Sequence, residues 1–109
     1  MTTHLVTSHG ADFFGEDRYP LRVLQQIAEY VDGTHPTAAG RPLVRLLFAA
    51  CTTPRQIPPD QAAEIADQLR ATARGRWTPP KLAAVIRLLA DAAARAASNG
   101  EPWTWTPVT

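Results

Sequence analysis

The chain has one cysteine, one methionine and, against ten arginines, a single lysine, Lys81. A lone Cys51 forms no intrachain disulfide, so nothing ties the fold to an oxidising compartment. Nor does it complete a Cys/His zinc quartet, and His4, His9 and His35 show no metal-binding spacing such as HExxH. No metal and no cofactor are expected. No apolar run approaches the ~20 residues of a membrane span. The opening Met1-Thr-Thr-His-Leu-Val has neither a basic region nor a long apolar stretch. The expectation is therefore a cytoplasmic chain, neither exported nor inserted in a membrane. GxSxG, GxxxxGK and GxGxxG patterns are all missing, which leaves hydrolase elbows and nucleotide-binding loops unsupported.

What is present fits one small domain. A length of 109 residues with 45% hydrophobic content is enough for a core without disulfides or structural metal. The net charge of +1 is too small to attract nucleic acid or membrane in bulk. Its distribution carries more. Residues 1–20 hold Asp12, Glu16 and Asp17 against Arg18, whereas residues 70–87 hold Arg70, Arg74, Arg76, Lys81 and Arg87 with no acid. The excess of alanine, and of arginine over lysine, is expected of a GC-rich genome.

Punctuation and periodicity predict four helices. The first is expected from about Pro20 to Val31, with Leu21, Leu24, Ala28 and Val31 on one stripe, Ile27 beside it, and Asp32-Gly33 as a stop. Pro42 opens a second, which runs to Cys51 and is apolar on almost every side, so it should be largely buried with Cys51 in the core. The third follows Pro58-Pro59 and turns Ala62, Ile65, Ala66, Leu69 and Ala73 inward, with Ile57 and Ala62 at hydrophobic-staple spacing. The fourth starts after Thr78-Pro79-Pro80 and ends at Gly100. Its stripe of Leu82, Ile86, Leu89, Ala93 and Ala96 marks it as the central helix, while Arg87, Asp91 and Arg95 can pair along its outer face. Residues 4–8, His-Leu-Val-Thr-Ser, and the alternating tail Trp103-Thr-Trp-Thr-Pro-Val have strand character. An isolated strand does not persist in water, so the two termini are expected to pair. The fold class is thus mainly α within α+β: four helices plus a short two-stranded antiparallel pairing of the N- and C-terminal segments.

Two stretches are candidate binding surfaces. An acidic loop after the first strand gathers His9, Asp12, Phe13, Phe14, Glu16 and Asp17 together with two glycines, Gly10 and Gly15, a composition in which backbone freedom meets polar groups. The plainer reading makes Phe13 and Phe14 core plugs and the acids helix caps. The turn between helices three and four carries Arg70, Arg74, Arg76, Trp77 and Lys81, a cationic surface with an aromatic suited to phosphate contact. Here the plainer reading has Arg70 and Arg74 complementing a helix dipole and Trp77 folded back on the core. The linker prolines and the long apolar fourth helix do not suit a helix-turn-helix.

Three functional expectations follow. The first is a non-catalytic accessory or regulatory protein that binds an unknown protein partner, through the acidic loop or as a homodimer. The second is a small nucleic-acid-associated regulator using the basic turn. The third, a small enzyme without a recognisable motif, requires a deep pocket with His9 or Cys51 beside a titratable partner. The head His9-Gly-Ala-Asp12, the helix Ile57-Pro-Pro-Asp-Gln-Ala-Ala-Glu-Ile-Ala-Asp-Gln-Leu69 and the ending Gly100-Glu-Pro-Trp-Thr-Trp105 together resemble short uncharacterised proteins of actinobacteria and their mobile elements. The resemblance implies a GC-rich bacterial setting, with a phage or plasmid neighbourhood, and brings no catalytic residues with it.

Overall fold

A computed structural model describes residues 3–10, 15–34, 40–49 and 53–109. In chain order the elements are β1 (His4–Ser8), β2 (Glu16–Pro20), α1 (Leu21–Thr34), α2 (Arg41–Phe48), β3 (Arg55–Ile57), α3 (Pro59–Ala73), α4 (Pro80–Asn99) and β4 (Trp103–Val108). The four helices and the pairing of the terminal strands are as the sequence predicts: β1 runs antiparallel to β4, with His4 opposite Val108 and Thr7 opposite Trp105.

The sheet is wider than the predicted pair. Its order is β2-β1-β4-β3, with β2 paired to β1 and β3 paired to β4, both antiparallel. Residues 16–19, expected in a loop, and Pro20, expected at the start of the first helix, form an edge strand instead. The reason is non-local. Glu-Asp-Arg-Tyr-Pro has little strand propensity, yet β1 supplies a ladder from His4–Pro20 to Ser8–Glu16. Charged side chains and a proline are also what a free edge tolerates, since they discourage pairing with another chain.

One face of the sheet carries Leu5, Tyr19, Ile57, Trp103 and Trp105, all buried. Val6, Ser8, Glu16, Arg18, Thr104 and Thr106 occupy the other face, which is largely open. The two tryptophans meet edge to face, ring centroids 5.2 Å apart at 85°. The helical layer covers the apolar face, and α4 occupies its centre. Ala90, Ala92, Ala93 and Ala96 are fully buried beside Ile86 and Leu89, and such small side chains let the helix lie close to α3 and the sheet. Helix α4 starts at Pro80 and stops at Gly100, whose φ of 67° lies in the left-handed region.

Other expectations need correction. Helix α1 passes through Asp32-Gly33 and ends at Thr34, whose hydroxyl donates to the Tyr30 carbonyl at 2.9 Å and secures the last turn. Helix α2 is not largely buried: Leu43 and Leu47 are covered, one turn apart, but Phe48 is 50% exposed. Asp91 pairs across helices with Arg70 on α3, Nη2 to Oδ1 at 3.2 Å, and Arg95 donates from Nε to the His9 carbonyl at 2.7 Å. Neither therefore serves the pairing expected along the outer face of α4. Both partners of the Arg70–Asp91 pair are substantially exposed, so its contribution is a few tenths of a kcal/mol. Cys51, expected in the core, lies outside the described residues.

Candidate functional site

The basic turn does not act as one unit. Arg70 is held by Asp91 on the outer side of the α3–α4 pair. The chain then leaves α3 through a tight turn in which the Gly75 N–H donates to Thr72 O at 3.0 Å and the Thr78 N–H to Gly75 O at 3.2 Å. The Thr78 hydroxyl also reaches Thr72 O, at 2.8 Å. A Cβ at position 75 would sit 2.9 Å from that carbonyl and 3.0 Å from the Thr78 hydroxyl, so the turn requires glycine for space. The turn leaves Trp77 81% exposed, with the Arg76 guanidinium carbon 5.5 Å from its ring centroid. Trp77 therefore does not fold back on the core.

This turn forms one wall of a two-lobed cleft against α1. One lobe, about 500 Å³, lies between Tyr30, Gly33 and Thr34 on α1 and Gly75, Arg76, Trp77 and Thr78 on the turn. The other, about 420 Å³, is floored by Val23 and Tyr30 on α1 and by Leu82 and Val85 on α4, with Pro79 and Lys81 at its rim. Glu29 and Tyr30 line both lobes. Each lobe has the size of a ligand pocket, about 300–1,000 Å³. Arg76, Trp77 and Lys81 thus come together, Arg74 is exposed where α3 ends, and Arg70 points elsewhere. The α1 wall was missed in the sequence because Gln26 and Glu29 lie opposite the main apolar stripe. The signal for it was present: Val23, Gln26, Tyr30 and Thr34 recur at spacings of three and four along one side of the helix.

At the other candidate, Asp12, Phe13 and Phe14 lie outside the described residues. His9 closes β1 with φ of 61°, a left-handed conformation that costs a non-glycine residue about 1 kcal/mol or more. Its surroundings fix it there. Glu101 Oε1, an acceptor, lies 3.3 Å from Nε2, and Ser8 Oγ lies 2.8 Å from Nδ1. A proton on Nε2 satisfies Glu101 and leaves Nδ1 to accept from the Ser8 hydroxyl. Ser8 Oγ accepts in turn from the Thr104 N–H at 2.8 Å, and the Ser8 carbonyl accepts from Trp103 Nε1 at 3.1 Å. These bonds clasp β1 to the α4–β4 junction. Both ring nitrogens of His9 are engaged, so it is not a free ligand at a loop tip. Ser8 and Glu101 were not singled out in the sequence, and Arg95 was expected to pair along α4, because contacts 86 and 92 residues apart leave no local signal.

Glu16 and Asp17 stand on β2. Glu16 borders a shallow groove of about 320 Å³ on the open sheet face, lined also by Val6, Ser8, Gly15, Thr104 and Thr106. Asp17 accepts from the Tyr19 hydroxyl at 3.3 Å. Burial, reinforced by the Asp17 charge and this hydrogen bond, pushes the Tyr19 phenol well above its ordinary range. Among the described residues no group of three His, Cys, Asp or Glu side chains is arranged to hold a metal ion, and no helix is long and apolar enough to cross a membrane.

A further cluster lies on the covered face of the sheet. Thr7 Oγ1, Trp105 Nε1 and Arg55 Nε are buried with no hydrogen-bond partner among the described residues, and the strand register places them in one row, Thr7 opposite Trp105 and Trp105 opposite Arg55. An unmet buried hydroxyl is a liability of about 1–3 kcal/mol. Thr7→Val keeps the β-branched shape and removes it, so this variant is expected to gain roughly 1 kcal/mol in urea denaturation. A loss of stability would show that the hydroxyl has a partner in solution.

No curated protein and no solved structure matches the chain. Residues 10–106 match a family described as a domain of unknown function, DUF7739. The match takes in every element from β2 to α4 and most of β4, and the protein belongs to this family.

Proposed function

We propose that the protein is a non-catalytic binding module that engages a partner protein through the cleft between α1 and the α3–α4 turn. One observation carries this: Trp77, 81% exposed, is held at the mouth of a cleft by a turn that has no slack. Tryptophan is enriched at the energetic centres of protein interfaces, where an apolar ring and a polar N–H are covered together. The acidic loop, where binding was first expected, offers less, since His9 is committed to the clasp with Ser8 and Glu101. A second copy of the chain, giving a homodimer, counts among such protein partners. A cytoplasmic setting, expected from the single cysteine and the missing export signal, and an actinobacterial or mobile-element origin, implied by the resemblance, belong to this proposal.

Nucleic acid is the second reading, favoured by Arg76 stacked near Trp77 with Lys81 close by in the same cleft. A photo-crosslinking residue at position 77, compared with one at exposed Asp67 on α3, separates the readings in the native host. Adducts with one defined protein, or with a second copy of the chain, formed from position 77 and not from 67, are expected. Adducts with nucleic acid would favour the second reading. Equal adducts from both positions would remove the cleft from consideration.

A further inference from the structure

We infer that the occupant of the cleft is a short acidic peptide segment carrying two large apolar side chains, a partner class that rests on the binding-module proposal above. The division of the cleft gives the two anchors. Tyr30 and Glu29 line both lobes, so a continuous ligand crosses them and drops one group on each side. In the first lobe that group meets Val23, Leu82 and Val85, an aliphatic floor that favours a leucine or phenylalanine side chain. In the second it meets the rings of Trp77 and Tyr30.

Charge decides the rest of the segment. Arg76 stands in the second lobe and Lys81 in the first. Neither takes part in an ion pair among the described residues. Arg74 adds a third exposed cation at the end of α3. Against them the cleft lining holds, among the described residues, one acid, Glu29. Carboxylates flanking the two anchors would meet Arg76 and Lys81, which steers association and sets the register of docking.

The same layout disfavours single-stranded nucleic acid. A strand following the cleft would carry a phosphate past Glu29 in the middle, and its bases would face an aliphatic floor instead of a series of stacking rings. Non-specific strand binding relies on a continuous cationic track and successive aromatic platforms. Among the described residues the cleft offers two rings, the exposed Trp77 with Arg76 near it and the half-buried Tyr30, which is short of such a series.

Panning a random peptide library on the wild-type chain, with Trp77→Ala as the counter-selection, tests the inference. The variant is expected to fold, since the side chain is almost wholly in solvent, and its melting curve verifies that. Sequences dependent on Trp77 should emerge with an excess of Asp and Glu over Lys and Arg and with two large apolar residues. A synthetic peptide of that consensus should lose roughly tenfold or more in affinity when Arg76→Ala and Lys81→Ala are combined, and should weaken as salt rises. If no Trp77-dependent sequence emerges, the binding-module proposal itself falls. Trp77-dependent sequences without an acidic excess, or with affinity indifferent to the two cations, overturn the inference and leave the module standing. Oligothymidylate binding more tightly than any selected peptide, through Arg76 and Lys81, overturns it in favour of nucleic acid.

Discussion

Trp103→Ala is expected to lose about 4 kcal/mol of stability, enough to leave a domain of this size marginal or unfolded at ambient temperature. The side chain is fully buried at the centre of the helix-facing side of the sheet. Truncation leaves a cavity where the indole packed and removes the edge-to-face contact with Trp105. It also takes away the donor that Trp103 Nε1 provides to the Ser8 carbonyl, adding a desolvation penalty to the packing loss. Trp103→Phe separates these terms, because it keeps much of the ring and drops the N–H; it should fall between the two. Urea denaturation followed by far-ultraviolet circular dichroism measures both. Wild-type stability in the alanine variant, to within about 1 kcal/mol, would mean that the sheet does not pack against the helices through this residue.

Gly10→Ala should lose roughly 2–3 kcal/mol, the upper part of the range for overpacking. An added Cβ would stand 2.6 Å from Asp17 Cγ, from the Asp17 backbone nitrogen and from the Glu16 carbonyl carbon. Rotating the Asp17 side chain relieves one of those contacts; the other two are backbone, so strand β2 itself must move. That movement strains the bond from the Gly10 N–H to the Gly15 carbonyl and the Ser8–Glu16 pairing beyond it. At about 4–8 °C per kcal/mol for a domain of this length, the melting temperature should fall by more than about 8 °C. Substitution at Gly100 makes an informative contrast. A Cβ there meets nothing within 4 Å, so its cost is only that of the left-handed backbone, about 1–2 kcal/mol. Equal melting of the Gly10→Ala variant and the wild type would show that β2 is not held against residue 10.

The elements that could be read from the sequence are those whose signals are local. Helix α4 announces itself by Thr78-Pro-Pro at one end and Gly100 at the other, with an apolar stripe of helical period between them. Trp103 and Trp105 alternate with threonines and share a face, as β4 has them. Strand β2 could not be read in the same way, because nothing in Glu-Asp-Arg-Tyr-Pro asks for a strand; its neighbour β1 imposes one. Three-residue β3, set between Pro54 and Pro58, is shorter than any periodicity can register.

The candidate site divides along the same line. Arg76, Trp77 and Lys81 stood out by composition, and the structure brings them to one cleft. The facing wall did not, because Gln26 and Glu29 sit on the side of α1 that amphipathicity assigns to water, while Val23 and Tyr30 only flank the main apolar stripe. Amphipathicity distinguishes covered from uncovered; it does not distinguish an idle surface from one wall of a groove. The bond of Arg70 to Asp91, 21 residues away, likewise depends on how α3 and α4 are laid together, and it removes one cation from a run that looks continuous in the sequence.

The register of the two terminal strands has a mechanical consequence. Because β1 and β4 run antiparallel with His4 opposite Val108, and the Thr3 N–H donates to the Val108 carbonyl, a load applied at these two positions acts on the outermost rung of the ladder alone. The rungs would then open in succession toward Thr7 and Trp105, as in a zipper, instead of resisting together in shear. Pulled between Thr3 and Val108, the domain should therefore yield at low force, however firmly its helices pack.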